Sequence, residues 1–232
     1  MKTTFSFRRL IGNTAWILLA LFVLYWAWIF GCVLCWRFFN PTETAFMAAQ
    51  LTVLQQKNPE AKITQQWVDY EHISANLKRA VVAAEDDRFV EHSGFDWESL
   101  QQAVENELQH KKSGGGSTIS QQLAKNLFLS SERSYIRKAQ EAVITVMIET
   151  MWSKKRILEV YLNVAEWGSG IFGAEAAARH YYGISAAGLN ERQAARLAVM
   201  LPNPRRYQQR YPAGLARHAA RIQRRMKYSD TP

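Results

Sequence analysis

Apolar positions fall into two regimes along this chain. From Ala15 to Trp36 they are nearly continuous, 22 residues without a charge. Beyond residue 76 they recur at intervals of three and four, the spacing of one face of an α-helix. Trp97, Leu100, Val104 and Leu108 follow Asp96, a ready N-cap, and Ile119, Leu123 and Leu127 repeat every four residues. Residues 142–152 are apolar on nearly every side, which predicts a central buried helix. Residues 192–200, followed by Leu-Pro-Asn-Pro, predict another helix with a hard stop. Between the two regimes, Asn40-Pro41 and Asn58-Pro59 break helical continuity and leave room for one short helix around Thr44–Gln56. The pattern predicts a mainly α protein: an N-terminus (1–14), an anchor (15–36), a connector (37–75), a helical domain (76–207) and a tail (208–232).

As a helix the 22-residue run would extend about 33 Å, against a hydrocarbon core of about 30 Å. Lys2, Arg8 and Arg9 precede it, while Arg37 alone follows closely. The positive-inside bias therefore predicts a cytoplasmic N-terminus, with the bulk of the chain on the other side. Trp16 and Trp36 stand where interfacial aromatics belong. A cleaved signal peptide is the competing reading. The run exceeds a usual signal core, however, and leads into Cys-Trp-Arg-Phe-Phe with no small-x-small cleavage site near its end. A buried core helix is the second alternative, in which Cys32 and Cys35 are small apolar residues.

With 48% hydrophobic and 21% charged residues in 232, the chain can bury a sizeable core, which excludes intrinsic disorder. The two cysteines both lie in the apolar run, so neither a disulfide framework nor a thiolate zinc site is available. The formal charge of +9 is carried by the ends: +3 before residue 37 and +7 from residue 205 on. The 18 basic and 19 acidic residues between them nearly cancel. A uniformly basic nucleic-acid binder is thereby disfavoured.

Four clusters bear on chemistry. In Ala-Ala-Glu85-Asp86-Asp87-Arg88-Phe89-Val90-Glu91-His92, carboxylates lie beside apolar neighbours. One of them can act as a general base, or the whole can be a solvated helix end with a surface Asp-Arg pair. His92 has no second histidine at metal-binding spacing and reads as a structural residue. The second cluster, Gly114-Gly115-Gly116-Ser117-Thr118-Ile119-Ser120-Gln121-Gln122, feeds a glycine loop into a capped helix. Its backbone N–H groups offer a physical basis for holding phosphate. It is not a nucleotide P-loop, because Lys125 comes nine residues after the last glycine. In the third, Arg137, Glu141, Thr145 and Glu149 fall four apart, one polar stripe on a greasy helix. That stripe suits a solvent-facing Arg-Glu pair, or a cleft where cations meet an anionic leaving group. The fourth, Gly168-Ser169-Gly170-Ile171-Phe172-Gly173, matches a dinucleotide fingerprint, but the residues before and after it continue helical patterns rather than strands.

The stretches AAEDDRFVEHSGFD, GGGSTISQQLAKN, RKAQE with SKKRILEVYLN, and GAEAAARHYYG with LNERQAARLAVMLPNP run in order across residues 80–207. Together they resemble the motifs of the peptidoglycan glycosyltransferases, glycosyltransferase family 51. The resemblance implies a lysozyme-like helical domain. Its activity would be to polymerise lipid II into β-1,4 glycan strands, releasing undecaprenyl pyrophosphate, at the outer face of the bacterial inner membrane. With no Ser-x-x-Lys and no Lys-Thr-Gly, the chain is similar to the monofunctional members rather than to those fused to a transpeptidase.

By the same resemblance, Glu85 matches the glutamate taken as general base. Glu141 matches a second acidic position, which orients basic residues, binds a divalent cation (Mg²⁺ or Mn²⁺) or assists the leaving group. Lys125, Arg133, Arg137 and Lys138 match the cations around the donor's diphosphate. Ser117, Thr118, Gln121, Gln122 and Asn126 match the polar lining of the cleft, and Asp86, Phe89 and His92 hold the first motif in shape. Ser120 stands where threonine is common. No cofactor is required by this reading beyond that open question of a cation. The partners implied are lipid II, the growing strand and membrane lipids, with penicillin-binding and division proteins left open and nucleic acid excluded. Charge alone would let the Arg-rich tail rest on anionic headgroups, and Leu100, Val104 and Leu108 could dip into the interface, although core packing suits that stripe as well. A lytic hydrolase and a non-catalytic membrane scaffold are the rival functions. The first has no use for the cation set, and the second would tolerate loss of Glu85.

Overall fold

The computed structural model describes residues 7–109, 116–130, 132 and 134–232. The chain divides into two compact units, 1–39 and 40–232. The first is a single helix, α1 (Phe7–Trp36), whose segment Asn13–Trp36 is long and apolar enough to cross a bilayer.

The second unit is helical, with one small sheet. Its helices are α2 (Ala45–Gln55), α3 (Ala75–Glu85), α4 (Trp97–Leu108), α5 (Ile119–Phe128), α6 (Tyr135–Met151), α7 (Lys154–Val164), α8 (Ala174–Tyr182), α9 (Glu191–Ala198), α10 (Pro204–Gln209) and α11 (Ala213–Arg225). Six of them begin where a short polar side chain accepts from the first turn's amides: Thr44, Ser74, Thr118, Ser134, Ser153 and Asn190. Thr118 and Asn190 do so in full capping boxes, with Gln121 and Gln193 bonding back to the cap amide. Pro204 opens α10, where its missing N–H costs nothing, and left-handed Gly183 closes α8.

The core forms where α5 packs against α6 and α7, and α3 against α9. Ile119, Leu123, Leu127, Ile157, Leu158 and Leu162 are buried there, as the four-residue spacing requires. Asn163 is fully buried at the end of α7. Its side chain accepts from the Val68 amide (2.9 Å) and donates to the carbonyls of Val68 and Glu159, so one amide ties the preceding segment to the helix. Its backbone carbonyl would lie 2.7 Å from a Cβ at Gly173, whose φ is +83°, and only glycine fits that approach.

The sheet joins β1 (Thr64–Gln65), β2 (Glu166–Gly168) and β3 (Ile171–Phe172) in the order β1-β3-β2, with β1 parallel and β2 antiparallel to β3. Strands of two or three residues leave no alternating pattern to read, so the helical reading of the sequence passed over them. They form the turn that holds the dinucleotide-like glycines. A helix precedes that turn, α7, so the fingerprint has no nucleotide-binding βαβ unit around it.

Two expectations are corrected. Helix α6 is not a central buried helix: Ile136, Val143 and Val146 are exposed, while Glu141, Thr145, Ile144 and Ile148 are buried. The helix lies at the edge of the domain with its polar stripe turned inward and part of its apolar surface turned out. On α4, Trp97 and Leu100 are exposed, with Trp97 stacked on Phe95, so core packing is not their fate. The side chains of Val104 and Leu108 lie outside the described residues.

Candidate active site

Three consecutive carboxylates close α3, and their surroundings separate them. Asp86 is buried and fully engaged. One oxygen meets His92 Nε2 at 2.8 Å and the other accepts the Ile119 amide at 2.9 Å, at the start of α5. His92 Nδ1 accepts from the Gly94 amide (3.1 Å), so the ring is the Nε2–H tautomer and donates to Asp86. Asp87 is exposed and accepts from Ser229. Glu85 is half-buried and in no salt bridge among the described residues; it accepts one hydrogen bond, from Gln122 Nε2 at 2.8 Å. Burial pushes its pKa up, opposed by the Gln122 hydrogen bond and the charge of Lys125 and reinforced by Asp86. Glu85 is thus a carboxylate of raised proton affinity with a neutral partner.

Phe89 is fully buried beneath this loop, with Lys154 Nζ 4.5 Å from its ring centroid. Lys154 also pairs with Glu149 (2.8 Å), to which Ser120 donates. Gly94, at φ +91°, lies so close to α6 that a Cβ would stand 2.7 Å from Thr145 Cγ2 and 2.9 Å from Glu149 Cγ. Asp86, Phe89 and His92 thus brace the loop from behind.

Glu85 lines a small acidic pocket, with Asp86, Asp87, Arg88, Asp96, Ser117, Thr118 and Arg225. Arg88 is tied to Asp96 and Glu98, and Arg225 reaches in from α11 to donate to the Ala83 carbonyl. Ser117 is shared with a second cavity of about 430 Å³, lined also by Phe46, Gln121, Gln122, Lys125, Arg137, Lys138 and Glu141. Glu141 is almost fully buried. Arg137 donates to one of its oxygens at 2.7 Å and Lys138 to the other. Lys125 is in no salt bridge among the described residues. Burial lowers its pKa, as do the charges of Arg137 and Lys138, against the opposing pull of Glu141 and Glu85.

The structure therefore brings together Glu85, Glu141, Lys125, Arg137, Lys138, Ser117, Thr118, Gln121 and Gln122 on two adjoining cavities. Asn126 is buried on α5 and lines neither cavity. Arg133 and the glycines 114 and 115 lie outside the described residues. At the α5 N-terminus the amides of Thr118, Ile119 and Gln121 are already taken by Gln121, Asp86 and Thr118. Lys125, Arg137 and Lys138 line the neighbouring cavity with positive charge.

Residues that sequence reasoning passed over complete the site. Tyr161 on α7 is buried and donates to Gln122 Oε1 at 2.9 Å, Arg225 comes from the tail and Phe46 from the connector. None is near the other site residues in sequence, and no local pattern marks them.

Among the described residues no three metal-ligating side chains come together, and both Glu141 oxygens are occupied by fixed cations. Glu141 is thus held by two cations of its own helix. What remains suits group transfer: a carboxylate of raised pKa on one side and a cation-lined cavity for an anionic leaving group on the other.

Comparison with known proteins narrows that class. The family model described as Transglycosylase matches residues 50–228. The chain is 58% identical to the biosynthetic peptidoglycan transglycosylase of Aromatoleum aromaticum and 59% identical to that of Azoarcus sp. BH72, each over the full length of both chains. It is 59% identical to the protein of the same name from Dechloromonas aromatica, covering 93% of this chain and 94% of the other. The chain belongs to the transglycosylase family and is a glycosyltransferase enzyme. The match takes in α11, whose Arg225 lines the acidic pocket, and begins after Phe46 of the second cavity.

Proposed function

We propose that this enzyme polymerises lipid II into β-1,4 glycan strands, with Glu85 as base and the Lys125–Arg137–Lys138 wall receiving the diphosphate. The relatives' shared name supplies the polymer class. The observation that carries the site assignment is the pairing of one under-solvated carboxylate with one cation-lined cavity, joined by the shared Ser117 and by the Gln122 hydrogen bond to Glu85.

The acceptor's sugar hydroxyl, the 4-hydroxyl of N-acetylglucosamine, sits in the acidic pocket and loses its proton to Glu85. Its oxygen attacks C1 of the donor's N-acetylmuramic acid. The C1–O bond to the diphosphate breaks, and undecaprenyl pyrophosphate departs with the electron pair. Attack and departure on opposite faces convert the α-linked donor to a β-linkage. Charge accumulates on the leaving oxygens, where Lys125, Arg137 and Lys138 stabilise it. Glu141 holds the last two of these in place. Arg133 joins the set by its match to the family motif.

The anchor gives the reaction its place. A polyprenyl-linked substrate stays in the bilayer, and an enzyme tethered there meets it in two dimensions at raised effective concentration. With residues 1–14 in the cytoplasm, 15–36 across the inner membrane and the domain outside, catalysis would face the periplasm.

Labelled lipid II incubated with the detergent-solubilised wild type and with Glu85→Gln tests the reading. Lysozyme-sensitive polymer from the wild type alone is the expected result. Polymer from both overturns Glu85 as base. Neither making polymer, while both fold and bind lipid II, overturns the polymerase.

A further inference from the structure

Tyr161 contributes no surface to either cavity, yet it touches the residue that touches the base. Its hydroxyl is inside α7's buried face and 2.9 Å from Gln122 Oε1; Gln122 Nε2 is 2.8 Å from Glu85 Oε2. A carboxamide has one donor end and one acceptor end. Which end meets Glu85 depends on which end the other neighbour takes. A phenol kept in its protonated form must have an acceptor when buried, and Gln122 Oε1 is the one it has. Burial pushes the Tyr161 pKa well above its ordinary value, and the charges of Glu85 and Asp86 push the same way, so the donor stays a donor.

We propose that Tyr161 is a positioning residue of the transfer reaction: by holding the Gln122 carbonyl it keeps the Gln122 amino group on Glu85 and sets the pH at which the base is ionised. The inference rests on the reading of Glu85 as base. Without the Tyr161 hydroxyl the amide is free to turn, and its carbonyl then faces the carboxylate. Two oxygens can share that contact only if Glu85 carries a proton. The turned amide therefore favours protonated Glu85, and the pH needed to ionise it rises. The other charges facing Glu85 are untouched by the change: Lys125 on α5, Asp86 at the end of α3, and Asp87, Arg88, Asp96 and Arg225 around the pocket.

The test is the pH dependence of lipid II polymerisation by the full chain. In Tyr161→Phe the acid limb of kcat/KM moves to higher pH and kcat falls about tenfold at neutral pH, with KM nearly unchanged. Gln122→Met, which removes the amide from the cleft side, moves the limb the same way. In the Gln122→Met background, Tyr161→Phe adds no further shift, because the amide through which it acts is gone. A Tyr161→Phe limb that coincides with the wild type overturns the proposal, as does an equal shift in both backgrounds. Should Tyr161→Phe not fold, a wild-type limb in Gln122→Met overturns it as well. Glu85→Gln run alongside keeps the two readings apart. Polymer from Glu85→Gln removes the base assignment. An inactive Glu85→Gln beside an unshifted Tyr161→Phe removes only the role given to Tyr161.

Discussion

Glu85 and Glu141 are both taken largely out of water at the same cleft, and the protein treats them in opposite ways. Glu141 has a guanidinium on one oxygen and an ammonium on the other, both from the first turn of its own helix. Glu85 has a neutral amide on one oxygen and an open pocket before it. In the proposed reaction a carboxylate placed between two cations serves to hold those cations still. A carboxylate desolvated without an ion pair gains proton affinity, which is what a base acting on a sugar hydroxyl needs. The acidic residue is common to both walls, and the difference in role comes from who solvates it.

Glu85→Gln breaks the comparison most severely. Polymerisation should fall by about two to four orders of magnitude, while the fold gains stability. The sign follows from the raised pKa of Glu85. The folded state holds that proton more tightly than the unfolded chain, so stability is lost as pH rises from the ordinary glutamate value through the raised one. Gln carries no such penalty. Thermal melts should show the variant more stable than the wild type at neutral pH and equal to it in acid, and a variant less stable at neutral pH would contradict the desolvated base.

Lys125→Met comes next, with kcat lower by roughly two orders of magnitude and binding of the acceptor little changed. Because burial lowers the Lys125 pKa, the wild type should lose activity at high pH before an ordinary lysine would titrate. Lys125→Arg should extend that basic limb upward, since a guanidinium stays charged. Glu141→Gln should cost less, about one order of magnitude in kcat/KM and mostly in KM. The cations remain but lose their shared anchor. If it instead abolished turnover with KM unchanged, Glu141 would be acting on the reacting atoms and the contrast with Glu85 would collapse.

How much of this was legible beforehand follows from how local each feature is. Two helix starts and one stop were visible because such signals are local: Asp96, the Ser117-Thr118 step, and the Leu-Pro-Asn-Pro that follows residues 192–200. The carboxylates of the first motif and the cations of the second and third could be named, but sequence does not say which of Glu85, Asp86 and Asp87 is drawn out of water without an ion pair. Asp86 is held by the Ile119 amide and His92, and Asp87 is exposed beside Arg225 and Ser229, the latter 142 positions away. Tyr161 was hidden for the same reason, its partner lying 39 positions away. The orientation of α6 is not legible because residues 142–152 are apolar on nearly every side and the stripe Arg137–Glu149 suits either solvent or a cleft. Only packing against α5 shows that Glu141 and Thr145 turn in and Val143 and Val146 turn out.

The two faces of α6 give the smallest effect and the cleanest control. Thr145 is fully buried, and its hydroxyl donates to the Glu141 carbonyl one turn back, while Val146, the next residue, is 53% exposed. Val146→Lys places an ammonium where solvent already reaches, and a surface change of this kind should shift stability by no more than about 0.5 kcal/mol. Polymerisation of lipid II in detergent should be unchanged, because no cavity residue is touched. Thermal melts and the same assay repeated in lipid vesicles check both statements. Equal activity in the two media would make the outward apolar stripe ordinary surface. A loss confined to vesicles would mean that the bilayer covers it, and the helix would then serve the cleft with one face and the membrane with the other.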